Sequence, residues 1–305
     1  MIKSVNHFFP SQTDSSLTAK TLPADSFLRD VHVYRIDEAG QLIDAFGAPE
    51  ESVVAAAIAS GTAEISIASE DNQTSSATIA IPVHKEDRVS SVAVLSSKKV
   101  EQTHDKVVGV FEVWEPVGLY QELALKAGFY GKMERFRNVS SFVRFEKGNG
   151  LPGQVWQERT GVIHDDLSNH PGFLRAAGAS ADLLITGIGL PVASHAYHSS
   201  VLLLSSGVSP LARGFEIWQA TSEQFTLLGG AYRGMPAMGL PAETRLAIQE
   251  GLPGLASVEG AAVLSDNPDI LFAGRPTESR PESACGLAIP CYDGDSLTSV
   301  ATLLF

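Results

Sequence analysis

The chain has 305 residues, of which 44% are hydrophobic and 19% are charged, a composition typical of a globular protein of two or three domains and not of a disordered chain. Its net charge of −13 argues against a nucleic-acid partner, because binding to phosphate requires a surface rich in Lys and Arg. No apolar run is long enough to span a bilayer, the first residues do not resemble a signal peptide and only two cysteines occur, so we expect a cytoplasmic protein without a membrane partner.

The first predicted elements are strands around one helix. VHVYRI (31–36) and LIDAFG (42–47) are predicted to be strands joined by an acidic turn that contains glycine. A helix is predicted over VVAAAIAS (53–60), because its apolar residues recur at the spacing of one helix face. IASEDNQTSS (67–76) is predicted to be a loop, and a hairpin around Pro82 follows it.

The same order of elements recurs twice further along the chain. FEVW (111–114) and FEIW (215–218) take the place of the first strand. LALKAG (123–128) and TLLGG (226–230) take the place of the second strand, and each ends in glycine. Two strands at corresponding places in three parts of one chain indicate an internal repeat.

The strongest sign of the repeat is a set of three segments that align around a proline without a gap: 79–95, 188–204 and 287–303. Each segment has two apolar stretches separated by a polar turn, which predicts a β-hairpin with its proline at a strand edge or end. The alignment predicts that three valines, each ten residues after its proline, are equivalent: Val92, Val201 and Val300.

A second repeated stretch lies upstream of the later two hairpins. Residues 150–166 and 251–267 both begin with GLPG and are identical at seven of seventeen positions. A helix is predicted at VWQER (155–159), because the glycines and the proline of GLPG are typical of a turn just before a helix. Gly161, like Gly61 in the first part of the chain, is predicted to end its helix.

These repeats predict three tandem units after an N-terminal tail. The tail is 1–26, and the units are 27–98, 108–207 and 212–305. Each unit is expected to contain two strands, a helix, a strand, a loop and two more strands. The predicted fold class is therefore α/β (α+β), with three mainly antiparallel sheets that each pack against a helix.

The order of these motifs resembles the GAF domain family. VYRIDEAGQLIDAFG (33–47) resembles the opening hairpin of a GAF domain, and 150–206 resembles the remainder, with a glycine-led helix, a strand ending at Asp165, a loop containing Phe173 and a hairpin carrying GLPV (189–192). The second unit is the best match and the first is abbreviated. The resemblance therefore implies three tandem GAF-like units.

One departure from the family concerns the segments between the units. GAF domains usually begin and end with long helices that join tandem copies and often form dimers. The connections 96–109 and 205–214 are too short for such helices, which rise only about 1.5 Å per residue. We therefore expect the units to pack directly on one another, without dimerisation through connecting helices.

The resemblance also implies a place for a ligand, since GAF domains commonly bind a small molecule between the sheet and the loop that follows the Asp strand. In the second unit that loop collects an aromatic side chain and several polar ones, as a ligand pocket requires. The predicted ligand-binding residues are His164, Asp165, His170, Phe173 and Arg175. In the alternative, purely structural interpretation, Asp165 caps a turn, Phe173 fills the core and the histidines are exposed.

The corresponding loop of the third unit differs from that of the second. It keeps Asp266 and Phe272 but has Ser265 where the second unit has His164. The first unit has almost no loop and is expected to bind nothing. If one unit binds a ligand, it should therefore be the second, and the contrast between HDD (164–166) and SDN (265–267) is the difference to test.

Other chemistries are less well supported by the sequence. Four histidines invite a metal site: His164, His170, His195 and His198. No metal is expected, because two of them lie in a hairpin turn and no carboxylate-rich surroundings are evident. A hydrolase triad of His164, Asp165 and Ser168 lacks a nucleophile elbow, so no enzymatic activity is expected.

The two cysteines and the family's known ligands add little. Cys285 and Cys291 do not form a C-x-x-C motif and are expected to be small buried hydrophobic residues. The Cys-His dipeptide that attaches bilin in phytochrome GAF domains is absent, and so is the acidic signature of cyclic-nucleotide-binding GAF domains. The sequence therefore leaves the ligand unidentified.

Two functions follow from these observations. The first is a sensory or regulatory protein that binds a small molecule in the second unit and relays this event to a protein partner. The second is a degenerate, non-binding scaffold for protein–protein interaction or assembly, and a homo-oligomer is compatible with either. The polar and aromatic loop of the second unit favours the sensor, whereas the short first unit and the missing signalling helices favour the scaffold.

Overall fold

A computed structural model describes residues 22–43, 51–70, 74–101, 107–118, 121–276, 280–281 and 284–305. These residues form three six-stranded sheets in which every strand pairing is antiparallel. The predicted α+β class with three tandem units, each a mainly antiparallel sheet with a packed helix, is confirmed. The end of the predicted second strand (44–47) and part of the first connection (102–106) lie outside the described residues.

The described residues of the first unit form one helix and six strands. They are β1 (Leu28–Ile36), β2 (Leu42–Ile43), α1 (Glu51–Ser60), β3 (Glu64–Glu70), β4 (Thr74–Lys85), β5 (Arg88–Ser97) and β6 (Val100–Glu101). The strand order is β2-β1-β5-β4-β3, with β6 also paired to β4.

The part of the second unit that the structure describes includes three helices. Its elements are β7 (Gly109–Val117), β8 (Glu122–Phe129), α2 (Glu134–Phe142), β9 (Phe145–Glu146), α3 (Gly150–Glu158), β10 (Val162–His164), α4 (Ala176–Ala181), β11 (Leu184–Ala193) and β12 (Tyr197–Ser206). The strand order is β10-β11-β12-β7-β8-β9.

The third unit repeats this arrangement. Its elements are β13 (Gly214–Ala220), β14 (Gln224–Ala231), a 3-10 turn (Pro236–Met238), β15 (Arg245–Ala247), α5 (Gly251–Glu259), β16 (Val263–Ser265), α6 (Pro268–Leu271), β17 (Gly286–Asp293) and β18 (Ser296–Leu304). The strand order is β15-β14-β13-β18-β17-β16, so in all three sheets the opening strand lies between the second strand and the last long strand.

Both faces of each sheet are buried, which explains why the central strands are almost continuously hydrophobic. One face of every sheet contributes to a single core shared by all three units, and the proline strands β4, β11 and β17 contact one another there. The opposite face of each sheet packs against that unit's own helices in a separate core. The protein is therefore built around one common centre, with the helices outside.

Buried serines join the units in a closed ring. In every unit, the segment just after helix α1, α3 or α5 forms a hydrogen bond with a serine of the next unit. This serine lies in the last long strand of that unit and is fully buried. The three bonds are Thr62 Oγ1 to Ser199 Oγ (2.9 Å), Gly161 N to Ser299 Oγ (3.1 Å) and Ala262 N to Ser91 Oγ (2.8 Å). The third bond returns from the third unit to the first, so direct packing between the units is observed.

The gapless alignment of the three hairpins is wrong after the proline of the second unit. Val300 pairs with Trp218 and Val92 pairs with Tyr34, but Trp114 pairs with Ser200. The hairpin of the second unit is one residue shorter, and a shift of one residue moves a side chain to the other sheet face. Val201 therefore lies in the shared core, whereas Val92 and Val300 pack towards helices.

The predicted loop at 67–76 is also wrong, because most of it belongs to β3 and β4, which pair up to Glu70 and Thr74; residues 71–73 lie outside the described residues. Polar residues on an edge hairpin resemble a loop in sequence.

Both GLPG motifs are part of a helix. Helices α3 and α5 begin at the first glycine of the motif, so the motif itself forms the first turn. Gly61 follows its helix in the left-handed conformation that is typical of a helix end, but in the second unit Arg159 does so in place of Gly161.

Candidate functional site

The predicted ligand loop of the second unit leaves β10 at His164 and re-enters the sheet at β11. The His164 ring is buried, with 1% of its surface exposed, and it stacks on the His170 ring with 3.7 Å between the ring centroids. The Phe173 ring meets His164 edge to face at 6.3 Å. The His164 Nε2 atom lies 2.8 Å from Gln154 Oε1 on α3. We call these four residues the histidine cluster.

The second ring nitrogen of His164 is the unusual atom in this cluster. The Gln154 carbonyl oxygen is an acceptor, so Nε2 carries the proton and Nδ1 is left as a bare acceptor. His164 Nδ1 is buried and has no hydrogen-bond partner among the described residues. A buried acceptor without a partner costs about 1–3 kcal/mol, so native proteins seldom retain one.

The electrostatic environment keeps His164 neutral. Burial, with a smaller contribution from the nearby His170, lowers its pKa from 6.5 to about 4. His170 Nδ1 accepts a hydrogen bond from the Gly172 amide at 3.1 Å, and a Cβ atom at Gly172 would come within 2.8 Å of Gln154 Nε2. The backbone of the loop thus packs closely on the cluster and holds both imidazole rings.

This pKa makes the stability of the protein depend on pH. Below pH 6.5 the unfolded state binds a proton at His164, and the folded state does not until about pH 4. The unfolding free energy should therefore fall on acidification through this range, by roughly 2–3 kcal/mol for His164 alone. Burial also lowers the pKa values of His84 and His198, which act in the same direction.

The His164 contribution can be isolated with the double variant Gln154→Leu/His164→Ser, which carries the residues of the third unit at these positions. Urea unfolding of wild type and variant at pH 7.5 and pH 5 should show a smaller loss of stability in the variant. Equal losses would contradict the assignment of a lowered pKa to His164.

Arg175 lies against the Phe173 ring and is engaged within the protein. Its guanidinium group donates to both carboxylate oxygens of Glu112 and to Ser140 Oγ on α2. Four aromatic rings surround it at 4.7–5.6 Å: Trp114, Phe136, Phe145 and Phe173. Because its charge is balanced and its side chain is buried, we assign Arg175 a structural role.

Glu112 is the centre of a fully hydrogen-bonded network. Besides Arg175, its carboxylate accepts bonds from Trp114 Nε1 at 3.0 Å and Tyr130 OH at 2.9 Å. Burial and the nearby Glu112 charge raise the pKa of Tyr130 far above its usual range, so the phenol remains a donor. Charged groups this deeply buried persist only when they are paired in this way.

The third unit contains the same network. Glu216 accepts from Trp218 Nε1 at 2.9 Å, from Tyr232 OH at 2.8 Å and from Arg275 Nη2, and Thr302 Oγ1 adds a fourth bond at 2.8 Å. We did not predict either network from the sequence. The available signal was a glutamate in the middle of an apolar strand in both FEVW and FEIW, followed in each unit by an arginine just after the loop phenylalanine.

The two units differ in the histidine cluster. Gln154 and His164 correspond to Leu255 and Ser265, so both hydrogen-bonding partners change together. Phe272 and Arg275 keep the packing and the charge pair of the third unit. The Glu–Arg network is therefore shared scaffold, and the histidine cluster is particular to the second unit of this pair.

Asp165 points away from the cluster. Its Oδ1 atom accepts a hydrogen bond from Thr186 Oγ1 at 2.8 Å. The same atom forms an ion pair with Arg233 Nε of the third unit at 2.9 Å. Ser168 donates to Asp166, so the described residues do not form the His164–Asp165–Ser168 arrangement of a hydrolase. The structure thus brings together His164, His170 and Phe173 and adds Gln154, whereas Asp165 bonds outside the cluster. Arg175 contacts only the Phe173 ring of the cluster and directs its hydrogen bonds to Glu112 and Ser140.

The remaining histidines lie elsewhere. His195 pairs with Asp87 at 2.6 Å and His198 stacks on His84 at 4.8 Å, both between the first and second units. Across the described ranges no group of three or more His, Cys, Asp or Glu side chains is placed to hold a metal ion. No described helix combines the length and apolar character needed to cross a membrane.

Comparison with known proteins gives a limited result. No family model matches the chain, and no curated relative matches it. A crystal structure of the A. aeolicus nlh2 GAF domain in an inactive state is similar over 33% of this chain and 59% of that chain, with 18% identity and a TM-score of 0.27. A likeness of this size carries no argument, so the GAF-like interpretation rests on the order of sequence motifs.

Proposed function

We propose that this protein is a sensory or regulatory protein that binds a small neutral molecule at the histidine cluster and relays the event to a protein partner. The observation that carries the proposal is the buried Nδ1 atom of His164, which has no hydrogen-bond partner in the described part of the chain. A ligand that donates an N–H or O–H group to this atom would recover the free energy that it costs to leave the acceptor unpaired.

The surroundings of His164 favour a planar, uncharged ligand. Arg175 is neutralised by Glu112, so the cluster supplies no free cation for an anion, and burying an unpaired charge would be costly. His170 and Phe173 present ring faces and edges that suit a flat heterocycle. His170 is only half-buried, and we infer that it moves aside to admit the ligand.

Two contacts would carry the event outward. Asp165, next to His164 in the chain, is paired to Arg233 of the third unit. Arg175, in the same loop, is bonded to Ser140 on the inner side of α2. A shift of the loop would therefore change both the contact between two units and the position of an outer helix.

A second candidate is the non-binding scaffold. Two observations support it. The side chains of Phe173 and Arg175 are buried in contacts within the protein, and the sheets are buried on both faces. In this case the polar cluster would be a structural remnant, and the outer surfaces alone would carry function.

Thermal shift of the full chain against a panel of uncharged heterocycles, such as nucleobases, indoles and pterins, distinguishes the two. A ligand at about 100 times its Kd should add about 2.7 kcal/mol to the stability of the wild type and leave Gln154→Leu/His164→Ser unchanged. Asp165→Asn is the matched control, because it changes the same loop outside the cluster and should retain the shift. A panel without a hit, with the double variant more stable than wild type, would favour the scaffold.

A further inference from the structure

Helix α2 carries a second apolar face that points into solvent. Its inner side buries Phe136 and Ser140 against the unit. On its outer side Val139 is 44% exposed and Phe142 is 85% exposed, the highest value for a large apolar side chain among the described residues. The i, i+3 spacing of these two residues places them together on the helix surface.

The segment around this face is basic although the chain is acidic. Residues 132–147 contain five Lys or Arg residues and two Glu residues, in a protein whose net charge is −13. All five basic residues are exposed: Lys132, Arg135, Arg137, Arg144 and Lys147. Exposed positive groups beside exposed apolar groups can recognise a partner through both charge and burial.

A strained residue lies beside the same helix. Leu183 follows α4, which packs on α2, and Arg135 acts electrostatically on the neighbouring Asp182. Leu183 is 56% exposed and has a φ angle of +60°, a left-handed conformation that costs a leucine about 1–2 kcal/mol. Strain of this kind tends to be retained at functional positions. We call Arg135, Val139, Phe142 and Leu183 the α2 face.

We propose that the α2 face docks an acidic protein segment that carries a leucine or aromatic anchor. The inference rests on the proposed function, for which it names the docking surface of the protein partner. The apolar side chains would bury the anchor, and the surrounding Arg and Lys residues would select acidic neighbours over basic ones.

Charge argues against three other occupants. A second copy that docked by the same face would bring Arg135 and Arg137 against their own counterparts. An anionic membrane or a nucleic acid presents an extended negative surface to a chain of net charge −13. A short acidic segment interacts mainly with the local basic residues, because charges beyond about 8 Å are screened at physiological salt.

The α2 face also has a mechanical connection to the ligand loop. Ser140, on the inner side of the helix, accepts a bond from Arg175 at 2.6 Å. Gly178 in α4 packs on Phe136, since a Cβ atom there would lie 2.8 Å from its ring. A loop that moves on ligand binding would therefore move the helix that bears Val139 and Phe142.

Selection of random 12-residue peptides displayed on phage against the full chain tests the proposal. Enriched peptides should contain an excess of Asp and Glu around Leu, Phe or Trp. In fluorescence anisotropy Val139→Ser/Phe142→Ser and Arg135→Glu/Arg144→Glu should each weaken binding tenfold or more, and added salt should weaken it further. The matched control Leu228→Ser/Val258→Ser, which alters exposed apolar residues of the third unit, should change binding less than twofold.

Several results would overturn the proposal. The first is that the selected peptides show no excess of Asp and Glu. The second is that both α2 variants bind the peptides as tightly as the wild type. The third is that phosphatidylserine vesicles or single-stranded DNA bind through the residues of the α2 face more tightly than any peptide. The ligand panel gives an independent readout. Peptide binding without a ligand hit would support the α2 face on the scaffold alone, whereas a ligand hit without peptide binding would overturn the α2 face and leave the histidine cluster standing.

Discussion

Arg175→Ala is expected to lower the unfolding free energy by about 3–5 kcal/mol, because it leaves the Glu112 carboxylate charged and buried without its cation. The guanidinium group also fills a space between aromatic rings, so the substitution opens a cavity as well. Small domains are stable by about 5–15 kcal/mol, so the loss is a large share of the total. Urea unfolding followed by circular dichroism measures it.

The size of the loss should depend on what remains of the pair. The double variant Glu112→Leu/Arg175→Met removes both charges and should recover much of the stability, since an apolar pair of similar volume can replace a buried ion pair. The matched variant Arg275→Ala leaves Glu216 unpaired in the third unit and should cost a similar amount. A loss below 1 kcal/mol for Arg175→Ala would contradict the stabilising role assigned to this pair.

These networks were beyond sequence reasoning for a physical reason. Glu112 and Arg175 are 63 residues apart, and Glu216 and Arg275 are 59 apart, so neither pair is visible in a local pattern. The arginine follows the loop phenylalanine by two residues in one unit and three in the other, which hides the correspondence. Burial of both partners could be recognised only once the strands and the loop were placed.

The strands themselves were largely predictable. Alternating apolar residues and recurring prolines located the hairpins, and the repeat gave three units with one topology. The register was less predictable, because Val201 suits either sheet face equally well and a missing loop residue leaves no trace in composition. The first unit was misread at 67–76 because polar edge strands and loops have similar sequences.

The candidate site was predictable in part. His164, His170 and Phe173 come together because they belong to one loop, where nearness in sequence favours nearness in space. Gln154 was missed although it is the polar partner of His164, since it lies on a helix whose facing side cannot be read from GLPG. The ion pair of Asp165 could not be predicted, because its partner, Arg233, belongs to another unit.

The shared core also predicts that the second unit is not autonomous. Residues 108–207 expressed alone should fail to form a folded monomer, because one whole face of their sheet loses its cover. The exposed set would include large side chains that are fully buried in the protein: Phe111, Val113, Ile188, Leu190 and Leu203. Each contributes about 1.5–3 kcal/mol when buried, so together the five contribute about as much as the whole stability of a typical domain, which is about 5–15 kcal/mol.

Size-exclusion chromatography with light scattering and near-ultraviolet circular dichroism of 108–207 test this expectation. We expect aggregates, or trimers in which three copies of the second unit pack together through the sheet face that is buried in the shared core. A folded, cooperative monomer would show that the shared core is dispensable. Addition of 22–101 and 209–305 as separate chains should restore a folded complex, because Ser199 would again meet Thr62 and Gly161 would again meet Ser299. A ring closed in this way should unfold in one transition, so a molecule bound at His164 would stabilise all three units together, including those that it does not touch.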